Sequence, residues 1–372
     1  MKRQCVQFLV SLGLCLMLTG CAVVTEEADI SADTATASKD EAEKAYNIGM
    51  EYLRNRLYVD AVGSFEKAID LDPACLLCYV GLGKAKAELR AYDESEVAYR
   101  SAIELDPDRP EGYQGVGYLF VVRSMYSEAI EEYEKGLAVL PRDPELLFGL
   151  GYAYEQWGKS EEAIDAYRRA IESDSGFVSA YYRMGSLLVA GERFEEAISA
   201  LEQVVAADTS DYDAHSVLGD AYYGAERDDE AEREFRWLIA HRPDQISTHL
   251  KLGKILERKG RNNDALEEYR MVQSIAPEDY IGFLYEGKLL TDMDRFVQAR
   301  PLLRRVLELD PANPGARCLL GEGYLETGAY DTAIAEAEKA VDDPTWGSFA
   351  RNIIARAEAR KEKERREREG WY

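Results

Sequence analysis

The sequence is short of positive charge. Its 372 residues hold 45 Lys and Arg against 70 Asp and Glu, a formal net charge of -25. Phosphate repels such a surface, which argues against nucleic acid as a partner. Direct docking on anionic lipid headgroups is disfavoured for the same reason. Histidine is nearly absent: His215, His241 and His249 are all there is. A structural zinc site takes four convergent ligands. No cysteine lies near these three, so they read as packed core side chains, and no metal is expected. The sequence also lacks a nucleophile-triad signature and a phosphate-cradling loop. Paired acids such as Glu195-Glu196 are common but read as solvated helix faces.

What the sequence has in quantity is repetition. Stepping by 34 from Gly49 gives Gly83, Gly117, Gly151, Gly185, Gly219, Gly253, Gly287 and Gly321, glycine every time. Twelve residues beyond each stands a small residue: Ala61, Ser95, Ala129, Ala163, Ala197, Ala231, Ala265, Ala299 and Ala333. A further twelve on, six of the nine repeats carry proline, from Pro73 to Pro311. A 34-residue period means stacked helical hairpins. Glycine inside a helix costs about 1 kcal/mol against alanine, so a glycine kept in phase marks a place where a second helix comes close. Gly151 is therefore expected to lie against a neighbouring helix near Ala163. The residue before proline avoids the helical region, so the Asp-Pro endings close each second helix. A hairpin that cannot hide its apolar face alone must stack on copies of itself.

These residues resemble the tetratricopeptide repeat family. The resemblance covers residues 42–347, nine repeats in register, and is carried by Leu82-Gly83, Leu150-Gly151 and Leu252-Gly253 with the early aromatics Tyr79, Tyr113, Tyr181 and Phe283. It implies an all-α fold: a right-handed superhelical solenoid of nine tandem helix-turn-helix repeats. The pattern departs from the family at His215 and His249 (for an aromatic), at Glu286 (for a core leucine) and at Ala337 (for an aromatic). These departures predict weaker packing toward the end. From Ser348 a tenth first helix, with Phe349, Ile353, Ile354 and Ala357, is expected to cover the last repeat, followed by a solvated charged tail to residue 372.

The family binds peptides on the concave face lined by its first helices. By phase, that face carries Gln114, Tyr118, Phe148, Tyr152, Tyr182, Ser186 and Tyr223. Aromatics give large contact area at low entropic cost. The family's clamp for C-terminal carboxylates needs Lys and Asn at these phases, and the sequence does not have it. An apolar strip in an acidic protein points instead to partner peptides with basic flanks.

The N-terminus reads as an export signal. Lys2 and Arg3 precede an apolar run, Val6 to Leu18, shorter than the about 20 residues a spanning helix needs. Leu18-Thr19-Gly20-Cys21 resembles the lipobox of bacterial lipoproteins, which implies cleavage before Cys21 and acyl chains on it. Two or more chains anchor stably. Ala22, where an Asp would favour inner-membrane retention, points to the outer membrane, facing the periplasm. The alternatives are an ordinary signal or an inner-membrane anchor. Residues 1–20 are then signal and 21–41 a disordered polar tether, leaving no segment for a separate catalytic domain.

Cys75-Leu-Leu-Cys78 leaves three readings open: a redox-active pair, since a helix N-terminus lowers a thiol's pKa, a structural disulfide, or two packed thiols. The strands of a thioredoxin context are missing. The sequence thus points to a lipid-anchored envelope scaffold that binds proteins or peptides, without cofactor and without enzymatic activity. Similar lipoproteins serve pilus and secretin assembly, outer-membrane protein assembly, cell-wall hydrolase recruitment or exopolysaccharide export. The other readings are a thiol-disulfide enzyme or chaperone using Cys75 and Cys78, and a passive spacer.

Overall fold

A computed structural model describes residues 38–369, and every regular element among them is helical. The export signal, Cys21 and most of the tether lie outside the described residues. The chain divides into two compact units at Met184–Gly185. In the first, α1 (38–54) pairs with α2 (Tyr58–Leu71), α3 (Leu76–Glu88) with α4 (Tyr92–Leu105), α5 (Pro110–Val122) with α6 (Tyr126–Val139), and α7 (Pro144–Gln156) with α8 (Ser160–Ser173). The division falls inside α9 (Val178–Ala190). The second unit continues with α10 (Phe194–Ala207), then pairs α11 (Tyr212–Gly224) with α12 (Asp228–His241), α13 (Ile246–Arg258) with α14 (Asn262–Ile275), α15 (Ile281–Asp292) with α16 (Phe296–Leu309), and α17 (Pro314–Glu326) with the short α18 (Tyr330–Ala337). The last described helix, α19 (Gly347–Arg368), packs against α17 and α18. Ser38, assigned to the tether by composition, is already helical, and its hydroxyl donates to the Leu71 carbonyl at 2.8 Å.

Local signals place the helix ends. Pro110, Pro144 and Pro314 stand in the first turn of their helices, where the missing N–H costs nothing. Asp143, Asp211 and Asn313 accept from backbone N–H groups of the first turn. Second helices stop at Asp72 and Asp106, which are extended as the following proline requires.

The repeated glycines do admit a second helix, one turn further along than expected. The small residues twelve positions on are buried, and Ser95 Oγ donates to the Gly83 carbonyl at 2.7 Å. The space left by the absent side chain is taken by the residue sixteen positions on. A Cβ at Gly49, Gly83, Gly117, Gly151, Gly219 or Gly253 would stand 2.4–2.8 Å from a ring atom of Phe65, Tyr99, Tyr133, Tyr167, Phe235 or Tyr269. Leu201 and Leu303 fill the same role for Gly185 and Gly287. These side chains are buried, each ring contributing about 2–3 kcal/mol by removal from water.

The last repeats are not loosely packed. Glu286, in a leucine's place, is buried and accepts from Arg270 Nε at 2.7 Å and Gln273 Nε2 at 2.6 Å. Ala337 is too small to fill the space at Gly321, and Ile353 of α19 supplies the missing bulk: its Cγ2 would lie 3.5 Å from a Cβ there. Ala350, Ile353 and Ala357 are buried, with Phe349 and Ile354 packed beside them. The charged run after them is exposed but continues the same helix, and Arg356 and Arg360 reach back to Glu322 and Glu326.

One phase of the repeat carries no constant residue. The turn inside each pair has positive φ at Arg56, Arg90, Ser124, Gly158, Glu192, Glu226, Gly260, Asp294 and Gly328. The left-handed conformation costs a non-glycine residue about 1–2 kcal/mol. Arg90→Gly is expected to raise stability by about 0.5–1 kcal/mol, seen as a higher melting temperature, after the extra freedom of the unfolded glycine is subtracted. A lowered melting temperature would contradict that account of the turn.

Candidate functional site

The first unit carries a groove built by a second glycine. Gly81, Gly115 and Gly149 each precede the repeated glycine by two residues, so each ring is clasped on both sides. A Cβ at Gly115 would stand 2.2 Å from Tyr99 Cδ1, and one at Gly149 2.3 Å from Tyr133 Cε1 and 2.9 Å from its hydroxyl. Phe65, above Gly81, is covered by Tyr46, ring centroids 5.9 Å apart. Tyr99 and Tyr133 remain open at the glycine side.

Two adjoining cavities result. The first, of 320 Å³, has Tyr99 and Gly115 in its lining, walls of Leu53, Val80, Ala87 and Tyr118, and Lys84, Glu88, Glu111 and Gln114 around them. The second, of 360 Å³, has Tyr133 and Gly149, walls of Tyr118, Phe148 and Tyr152, and Gln114, Glu145 and Arg183 around them. Tyr118 and Gln114 belong to both, so Tyr118, 53% exposed, stands as the partition.

The floor tyrosines differ from their counterparts in other repeats. Tyr167 Oη donates to Glu155 at 2.6 Å, and Tyr269 donates to Glu257. In the two open repeats the residues at the glutamate phase are Ala87 and Val121. Tyr99 and Tyr133, each only 3% exposed, have no hydrogen-bond partner among the described residues. Burial, and then the neighbouring Tyr118 hydroxyl, pushes both phenols well above their usual range, so they stay protonated and can donate.

The structure therefore brings Gln114, Tyr118, Phe148 and Tyr152 to one surface. Phe148 also packs on Tyr167 and Phe177, at 5.4 and 5.2 Å between centroids, so it is partly a core residue. Tyr182 lies in the first unit and Ser186 in the second, both half-buried. The α9 side chain that reaches the second cavity is Arg183. Tyr223 lies in the second unit, half-buried, with the Arg258 guanidinium 4.4 Å over its ring. Sequence reasoning missed Tyr99, Tyr133 and their glycines, whose ring phase reads as core. The legible signal was the Gly-x-Gly at 81–83, 115–117 and 149–151.

Elsewhere, Cys75 and Cys78 form a disulfide at the start of α3, with Cys78 fully buried. Among the described residues no group of His, Cys, Asp and Glu has metal-binding geometry, and no helix is long and apolar enough to cross a membrane. His241 is exposed rather than packed in the core, stacked on Trp237 at 4.0 Å. His215 and His249 are buried and act as bolts. His249 Nδ1 meets Glu268 at 2.6 Å and Nε2 meets the Pro243 carbonyl at 2.9 Å. His215 bridges Glu234 and the Thr209 carbonyl in the same way, and Arg317 bridges Glu336 and the Pro311 carbonyl. Both partners of His249 accept, so its bolt is complete only as imidazolium. Burial pulls the His249 pKa down, but the bonds to Glu268 and Pro243 outweigh it and raise it. A raised folded-state pKa contributes stability that is full below the unfolded value, about 6.5, and fades as pH rises through the folded value. His249→Arg, copying Arg317, is expected to flatten that part of the stability–pH profile. An unchanged slope of unfolding free energy with pH would contradict the bolt.

Models of the tetratricopeptide repeat match residues 46–110, 117–176, 182–236 and 229–280, and a second such model matches 290–344. No curated protein sequence matches the chain. Among solved structures, the C-terminal part of a TPR repeat-containing protein from Cytophaga hutchinsonii is 17% identical, covering 65% of this chain and 99% of that one with a TM-score of 0.54. YrrB, described as a TPR protein with an unusual peptide-binding site, is 25% identical over 50% of this chain and 95% of its own, TM-score 0.41. PilW, described as a widely conserved type IV pilus biogenesis factor, is 18% identical over 58% and 98%, TM-score 0.47. The Cytophaga likeness bears on the fold alone, and the other two superpose too loosely to carry an argument.

Proposed function

The chain belongs to the tetratricopeptide repeat family, and on that footing we propose that it is an envelope scaffold whose first unit holds an extended segment of a partner protein. Arrays of stacked repeats offer long concave surfaces that bind other proteins. The observation that carries the reading is the pair of adjoining cavities with unpartnered tyrosine hydroxyls in their floors and the exposed Tyr118 between them. An exposed aromatic beside apolar walls is the usual composition of an interface centre. The envelope placement rests on the sequence from Lys2 to Cys21, with lipid on Cys21 as the anchor and assembly of an envelope complex as the task.

Photo-crosslinking in cells tests the groove. A benzophenone side chain at Tyr118 or Tyr152 is expected to capture one envelope protein, and the same group at exposed Val297 is expected not to. Equal capture from Val297, or none from the groove, would overturn the assignment. The anchor is tested separately: Cys21→Ser should abolish fatty-acid labelling, and a wild-type chain that takes up no label would refute lipidation.

A further inference from the structure

The repeats that lack the second glycine show what the space above the ring accepts. Where Gly115 and Gly149 leave it open, the next repeat has Arg183, and the sixth of the pattern has Lys251. The Arg183 guanidinium lies 5.3 Å over the Tyr152 ring and donates at 3.0 Å to Glu155, which also accepts from Tyr167. The Lys251 ammonium lies 5.8 Å over the Phe235 ring and pairs with Asp220. Of the five later repeats without the second glycine, one therefore seats a cation over the ring sixteen residues back, Lys251 over Phe235, and one sends its cation over the neighbouring Tyr152 ring, each anchored by a carboxylate; the other three carry Val217, Tyr285 and Leu319.

The open seat over Tyr133 has similar parts, and the one cation in its lining, Arg183, is committed to Glu155. Its free aromatic face is Tyr118, since Arg183 lies over Tyr152, its carboxylate is Glu145, and Tyr133 Oη lies beside the space at Gly149. Glu145 has no ion-pair partner among the described residues, and Arg183 at the far edge is already held by Glu155. The neighbouring seat over Tyr99 differs, because Leu53, Val80, Ala87 and Tyr118 make its walls apolar.

We propose that the groove selects an extended segment carrying a lysine or arginine, seated over Tyr133 against Glu145, beside an apolar side chain seated over Tyr99. This rests on the groove being the binding face and adds the chemistry of its occupant. The cation gains from the ring face of Tyr118, from the Glu145 carboxylate, and from the lone pairs of Tyr133 Oη. The strongly negative chain also draws basic segments in before contact.

The test uses the full-length chain and short fluorescent peptides of alanine and serine. One peptide carries an arginine and a leucine two residues apart, the second has norleucine for the arginine, and the third has glutamate. The arginine peptide is expected to bind at least about tenfold tighter than the norleucine one, and the glutamate one not measurably. Tyr133→Phe and Glu145→Gln should each weaken the arginine peptide by about tenfold or more, the worth of one charge-assisted hydrogen bond, and leave the norleucine peptide unchanged. Equal binding of arginine and norleucine peptides, both lost in Tyr118→Ala, would leave the groove standing and overturn the seat. Arginine binding that ignores Tyr133→Phe and Glu145→Gln but vanishes in salt would reduce it to surface charge and also overturn the seat. Peptide binding indifferent to Tyr118→Ala, or no binding of the arginine peptide, would overturn the proposal, the first of these taking the groove with it.

Discussion

Gly151→Leu is expected to lower stability by about 3 kcal/mol, at the upper end of what overpacking costs, whereas Gly63→Ala should raise it by up to about 1 kcal/mol. Both glycines sit inside helices. A Cβ at Gly151 would stand 2.7 Å from the Tyr167 ring, which is fully buried and tied to Glu155, so neither partner can give way. A Cβ at Gly63 would meet nothing within 4 Å. Thermal unfolding of the two variants separates the glycines that receive a ring from one that does not. Equal melting temperatures would refute the ring-in-glycine packing found in six of the nine repeats.

Ile353→Ala is expected to cost about 2–5 kcal/mol and to expose a reporter beneath it. Ile353 fills the space left by Ala337 and shares a cluster with Cys318, which is free and fully buried. Burial, and then the charge of Asp343, pushes the Cys318 thiol up to about 11. With the cap in place the thiol should react slowly with a maleimide at neutral pH. A loss of 3 kcal/mol in the cap corresponds to roughly a hundredfold more open chain, so labelling should accelerate by about that factor if opening limits it. Labelling at the wild-type rate would mean that α19 does not seal the last repeat.

The period of 34 was legible because glycine is expensive in a helix and survives at Gly49 through Gly321 for one reason only, close approach. What approached it was not legible. Ala163 and Tyr167 lie one turn apart on the same helix, and the period marks both equally. Side-chain geometry, not spacing, decides that the ring takes the glycine's space while the small residue meets its backbone. The turn phase was hidden because the left-handed position tolerates Arg90 and Ser124 as well as Gly158 at modest cost. On the groove, phase found Gln114, Tyr118, Phe148 and Tyr152, since residues at equal phase share a face. It missed Tyr99 and Tyr133, which look identical to Tyr167 and Tyr269 by position. They differ in what stands around them: Ala87 and Val121 instead of Glu155 and Glu257, and Gly115 and Gly149 instead of Arg183 and Tyr285. What lies over Tyr223 was not legible either, because Arg258 stands 35 residues away. Glu286 and Ala337 looked like weak points, and each proved to be served from another element, by Arg270 with Gln273 and by Ile353.

The most direct measurement is the affinity of a cross-linked partner segment for Tyr118→Ala, with Val297→Ala as the control. Tyr118 is more than half exposed, so its loss should leave the melting temperature almost unchanged while removing the wall common to both cavities. A weakening of at least about tenfold, the mark of a residue at the centre of an interface, is the predicted result, with Val297→Ala binding as wild type does. Undiminished affinity in Tyr118→Ala, or a larger loss in Val297→Ala, would place the partner on another face and contradict the groove.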